Sequence, residues 1–152
     1  MHRSLLAVAL VGALPAFATA RPPSPHPASS VQAAAVAGQV NAARMEACTH
    51  RSDALLDALG KANYSAATAH FDRDMKTRLD AAKLRTAWLG VGAQVGALKA
   101  RGTPRSFLYQ GFSVVATPLQ FARGQLTAQV ACNGAGQVAG FYIRPRNPGA
   151  AG

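Results

Sequence analysis

The sequence predicts an α+β domain in which three N-terminal helices pack on a curved antiparallel sheet of about four strands. Between Met45 and Leu98 the apolar residues recur at intervals of three and four, the period of a helix face. After Lys99 they recur at every second residue, the period of a strand. The period changes once, so helices and strands are segregated along the chain, unlike the alternating order of α/β proteins. The size fits one domain: of 152 residues, the first twenty read as a leader and the rest suffice for a single core.

The leader comes first. His2 and Arg3 make a positive start, Leu5 to Leu14 form an apolar run ended by Pro15, and Ala18-Thr19-Ala20 offers the small residues that a signal peptidase reads. The run is about ten residues, half of what a bilayer span needs. Cleavage between Ala20 and Arg21 is therefore expected, giving a periplasmic or secreted protein that is no longer membrane-spanning. Residues 21–44 read as a spacer: RPPSPHPASS is extended, and Val31 to Ala43, weakened by Gly38 and capped by Ser29 or Ser30, is a frayed lead-in helix. The domain proper is expected over 45–145, followed by a Gly/Pro/Ala-rich disordered tail over 146–152.

Met45, Cys48, Ser52, Leu55, Leu56 and Leu59 lie on one helical face, and Gly60 is the stop. Ser65 is the expected cap of a second helix with Ala67, Phe71 and Met75 inward. Asp80 is the expected cap of a third, whose stripe is Leu84, Trp88, Val91, Val95 and Leu98. Gly90, Gly92 and Gly96 weaken that helix or admit a close neighbour. Strands follow at 106–110, at 112–122 with Val115, Thr117, Leu119 and Phe121 on one face, at 125–132, and at 138–144. Pro118 should mark an edge or a bulge, and Asn133-Gly134 a hairpin turn.

Export makes two cysteines informative, because an oxidising compartment favours pairing. Cys48 and Cys132 both fall on the apolar side of their elements, so a disulfide is expected, with two separate buried thiols as the alternative. The charge is lopsided. The chain carries +10, or +9 once Arg3 leaves with the leader, and all six acids lie between 46 and 80. From Ala81 onward there are eight basic residues and no acid, which points to anionic partners such as envelope components. The bland alternative is an Arg-rich composition that serves solubility.

Ala54-Leu55-Leu56 with Asn63-Tyr64, Phe71-Asp72, Met75-Lys76, Leu84 and Trp88 make up the helical part of a recognisable order. Gly111-Phe112-Ser113-Val114-Val115, Pro118-Leu119, Phe121-Ala122-Arg123-Gly124 and Gly140-Phe141-Tyr142-Ile143-Arg144-Pro145 complete it. Over about residues 45–145 this order resembles the bacterial domain-of-unknown-function 3887 family, within the nuclear-transport-factor-like and SnoaL-like group. The resemblance implies a cystatin-like cone with a pocket between helices and sheet, and no particular reaction. Cys48 and Cys132 look like additions to that pattern. Relatives can precede a hydrolase domain, but no Gly-x-Ser-x-Gly nucleophile elbow occurs in these 152 residues, so an accessory role is expected.

Catalytic residues are hard to nominate. The sheet half lacks Asp, Glu and His, so a base must come from His50, Asp53, Asp57, His70, Asp72 or Asp74. His70, Asp72 and Asp74 do not share one helical face, so no metal site and no cofactor are expected; Asp72 and Asp74 read as helix caps. Arg105, Tyr109, Gln110 and Tyr142 are the candidate ligand-binding set, since a guanidinium beside phenols suits a carboxylate or sulfate. The expected function is a non-enzymatic exported module holding a small apolar or anionic ligand or a protein partner. The alternative is a weak isomerase or hydrolase using a helix-borne Asp or His. Scattered basic residues without interleaved aromatics argue against nucleic acid. A homodimer formed through the sheets is also expected, by analogy.

Overall fold

An alanine-rich stretch with one internal glycine, Gly38, and no proline after Pro27 has little to stop a helix before Gly60. In a computed structural model, which describes residues 27–146, it forms one helix, α1, over Pro27–Gly60. The lead-in segment and the first core helix are thus continuous. Pro27 to Ser30 belong to the helix and not to an extended spacer, because proline is tolerated in a first turn where its N–H has no partner to lose. The expected leader, the Ala20–Arg21 cleavage site and residues 147–152 lie outside the described residues. Residues 30–40 are exposed, and the helix first becomes buried at Cys48.

Two short helices follow, α2 (Tyr64–Ala67) and α3 (Arg73–Arg78), where one was expected. The cap of α2 is Asn63, whose side chain accepts from Ala66 N–H, so Ser65 lies inside the helix instead of capping it. Asp72 separates the two helices by accepting from Met75 N–H at 2.8 Å, which begins α3. Asp80 caps α4 (Ala81–Val95) as its spacing foretold, by accepting from Lys83 N–H at 2.9 Å. That bond holds the Asp80 carboxyl below its ordinary pKa. Gly96 ends α4 at φ +82°, and a Cβ there would stand 2.9 Å from the Ala122 methyl. Gly90 and Gly92 meet no neighbour, so only Gly96 serves a close approach.

The strands are β1 (Leu98–Arg101), β2 (Arg105–Tyr109), β3 (Phe112–Phe121), β4 (Gly124–Cys132) and β5 (Val138–Pro145). Leu98 continues the apolar stripe of α4 in sequence but sits in β1, because the glycine has already broken the helix. The sheet is antiparallel in the order β1-β3-β4-β5, with β2 also paired to β3. β1 and β2 therefore share one side of β3, against its C-terminal and N-terminal halves, which gives five strands where about four were expected. The interruption falls at Pro118. Its carbonyl accepts from Gly102 N–H at 2.8 Å, so its missing N–H faces the same side, where the ladder is already broken. Pro118 thus marks the gap between β1 and β2 on that edge, and the irregularity of β1, between Leu98 and Ala100, lies further on, opposite Phe121 and Gln120.

Antiparallel register puts Val115, Thr117, Leu119 and Phe121 of β3 on the same face as Ala128, Val130 and Cys132 of β4, all buried. Against them lie Leu55, Leu56 and Leu59 of α1, Phe71, Met75 of α3 and Leu84 of α4, with Trp88 tilted onto Phe121. Cys48 and Cys132 are joined in a disulfide that ties α1 to the end of β4. The Ser52 and Thr117 hydroxyls are buried with no hydrogen-bond partner among the described residues. The Asn133-Gly134 signal does mark a reversal, but a five-residue one: Asn133 Oδ1 accepts from Ala135 and Gln137 N–H, and Gly136 takes the positive φ.

Candidate functional site

The space between helices and sheet is occupied by side chains: Leu56, Leu59, Phe71, Leu84, Val115 and Val130 are all buried. Two surface depressions lie elsewhere. One is a shallow bowl bounded by Phe71, Arg73, Lys76, Thr77 and Gln137. The other lies over Pro118 between Gly102, Gln120, Gln125 and Arg146.

The outward face of the sheet is the richer surface. Cross-strand register sorts it into rows. Arg105, Ala116, Gln129 and Tyr142 stand opposite one another across β2, β3, β4 and β5. The next row is Phe107, Val114, Ala131 and Gly140, and the one beyond begins with Tyr109 and Phe112. Ala116, Val114 and Ala131 hold the middle together with one longer residue, Gln129, while Arg105, Phe107 and Tyr109 stand on one side and Tyr142 on the other. Three strand spacings separate β2 from β5, about 14 Å, which makes a shallow trough. Along one side Phe107 and Tyr109 are 43% and 58% exposed; along the other Tyr142 is 51% exposed. Gly140 admits the Tyr142 ring, since a Cβ there would lie 3.0 Å from it. Arg144 stands 5.4 Å from the centre of that ring. Because no acid follows Asp80, no carboxylate interrupts this face.

Three of the four nominated residues, Arg105, Tyr109 and Tyr142, thus share one face, though not the pocket between layers that the family resemblance implied. Gln110 departs from them. It was read as the end of a strand, but Gln110 (φ +48°) and Gly111 (φ +82°) form the two-residue turn between β2 and β3. Sequence reasoning did not nominate Phe107, Phe112 or Arg144; the alternation of Arg105, Phe107 and Tyr109 pointed to the first and the two-residue spacing of Tyr142 and Arg144 to the last, whereas Phe112 is placed by register alone. Part of the basic surplus is engaged within the chain. Arg123 caps the last carbonyls of α4 through Ala93 at 2.9 Å, Arg101 pairs with Asp57, Lys83 with Asp80, and Arg146 bonds Gln125. Arg105 has no side-chain partner among the described residues.

The helix-borne titratable groups do not converge. Both Asp72 oxygens are engaged, with Met75 N–H and with the Asn133 amide. His50 lies 3.9 Å from Glu46 on the exposed side of α1. The Arg51 guanidinium donates to His70 Nε2 at 3.0 Å, which leaves the ring proton on Nδ1. Partial burial, then Arg51 and Lys76, lower the His70 pKa below its ordinary value. A histidine lowered in the folded state favours folding when neutral, an effect complete above pH 6.5 and lost as pH falls through the folded pKa. The denaturation midpoint should therefore drop between pH 7 and 5, and drop less in His70→Gln. Parallel curves for the two proteins would remove His70 as the source.

A small α+β domain, with helices on one face of an antiparallel sheet and exposed aromatic side chains on the other, is the class that fold and site define. The family model described as "Protein of unknown function (DUF3887)" matches residues 52–141, from Ser52 of α1 to Phe141 of β5. The chain belongs to that family. Comparison with curated proteins and with solved structures finds no match.

Proposed function

We propose that the chain is an exported, non-enzymatic binding module whose outward sheet trough takes an anionic glycan chain of the envelope. The observation that carries this reading is the trough itself: guanidinium groups of Arg105 and Arg144 beside the exposed rings of Phe107, Tyr109 and Tyr142, with no carboxylate among them. Guanidinium forks match carboxylate or sulfate, and flat rings match the faces of sugar rings. A filled interior between the layers supports surface recognition over enclosure of a small molecule. The disulfide and the leader-like N-terminus support export.

The test is binding of a carboxylated polysaccharide, polygalacturonate, by the exported protein. Binding should weaken steeply with salt and fall at least tenfold in Arg105→Ala/Arg144→Ala. Equal affinity of wild type and double variant would end the reading. Native mass spectrometry of protein exported through its own N-terminus checks the compartment: mature mass should begin at Arg21 and lack the two disulfide hydrogens. A full-length mass would refute cleavage.

A further inference from the structure

We propose that β2 is the contact edge of a homodimer, in which two copies of Arg105–Tyr109 pair antiparallel about Phe107. All five residues of β2 are exposed, and three are large and apolar. Phe107 and Tyr109 stand on the outward face, and Leu108, 46% exposed, on the face toward the helices. A partner lying flat on either face would leave the other uncovered. A strand added alongside covers both.

The other edges are protected in ways that β2 is not. β1 is irregular between Leu98 and Ala100 and carries Lys99. β5 is irregular opposite Ala131 and Cys132, is bridged by Phe71 at Val138, and ends at Pro145. Irregularities, lysine and proline are the devices that keep a strand edge from pairing. Between Ser106 and Tyr109 β2 has no irregularity, lysine or proline, and its one charge, Arg105, stands at the end of the strand.

The backbone parity is self-complementary. Tyr109 and Phe112 flank the two-residue turn, so Tyr109, Phe107 and Arg105 direct their N–H and C=O toward β3. Ser106 and Leu108 direct theirs to the open edge. A two-fold axis at Phe107 sets Ser106 against Leu108 of the second copy, twice, satisfying both pairs of groups. It sets Phe107 against itself in a non-hydrogen-bonded pair, where side chains lie closest. It also sets each Arg105 opposite the other copy's Tyr109, a cation beside an aromatic face. Pairing through the outward faces instead would bring arginines together where no carboxylate can meet them. At the edge the two Arg105 side chains are held apart by the length of the strand.

The inference stands apart from the glycan reading, although each trough would gain the partner's Tyr109 on its border. The test uses the oxidised mature chain in light scattering and cross-linking. A dimer is expected at tens of micromolar, strengthened by salt because both copies carry net positive charge; glycan binding should move the opposite way. Leu108→Pro removes an N–H that points away from β3 and bonds nothing among the described residues, and should yield a monomer, as should Leu108→Lys. Phe107→Cys should give a covalent dimer on mild oxidation, since facing Cα atoms in such a pair lie about 4.5 Å apart. A wild type still monomeric at about 100 μM, several-fold above the concentration at which the dimer is expected, would overturn the proposal. So would a dimer that survives both Leu108 variants or fails to cross-link at position 107.

Discussion

Replacing both bridged cysteines, Cys48→Ala with Cys132→Ala, is expected to cost about 4–5 kcal/mol of folding stability. The bond closes a loop with a sequence separation of 84, and its absence returns that closure entropy to the unfolded chain. It also fastens α1 to the last residue of β4, so it couples the helical layer to the sheet. For a domain of this size the loss corresponds to a fall in Tm of roughly 20 °C or more. Thermal melts of the oxidised protein, the reduced protein and the double variant provide the check. The last two should agree and lie well below the first. A double variant melting within a few degrees of the oxidised protein would mean that the bridge does not constrain the chain in solution.

Phe71→Ala should cost about 3–5 kcal/mol, the range for truncating a buried aromatic. The ring is 1% exposed and belongs to the core that α1, α4 and the sheet share. Its backbone adds to the role. Val138 N–H donates to the His70 carbonyl and Asp72 N–H to the Val138 carbonyl, both at 2.9 Å, so the segment between α2 and α3 is stitched to the start of β5. Losing the ring removes the packing that holds this seam. Urea denaturation should show a lower midpoint with an unchanged slope, and Phe71→Leu should recover much of the loss. A cost below 1 kcal/mol would show that the seam, and not the ring, anchors the segment.

Much of this fold was legible because side-chain period is a local property. The stripe Leu84, Trp88, Val91, Val95 and the alternation Val115, Thr117, Leu119, Phe121 point inward in the structure as their spacing required. The Asp80 cap was equally readable, since a cap needs only its own next three residues. Boundaries were less so. Leu98 fits both the helical stripe and β1, and only the positive φ of Gly96 decides between them. Ser65 and Asn63 are both competent caps, and the choice of Asn63 depends on where the turn after α1 releases the chain.

The candidate site was half legible. Arg105, Tyr109 and Tyr142 could be nominated by chemistry, but their common row structure rests on register across four strands, which no local pattern carries. What the sequence by itself determined was the class of the fold, the inward face of each long element, the capping of α4 and the absence of acids beyond Asp80. Each follows from neighbours within a few residues or from composition. Only the tertiary structure decided that Cys48 meets Cys132, that β1 and β2 divide one edge of β3, and that three nominated residues face away from the helices. These depend on contacts between residues far apart in the chain. Such contacts are selected by how whole layers pack, a choice made after every local preference has been satisfied.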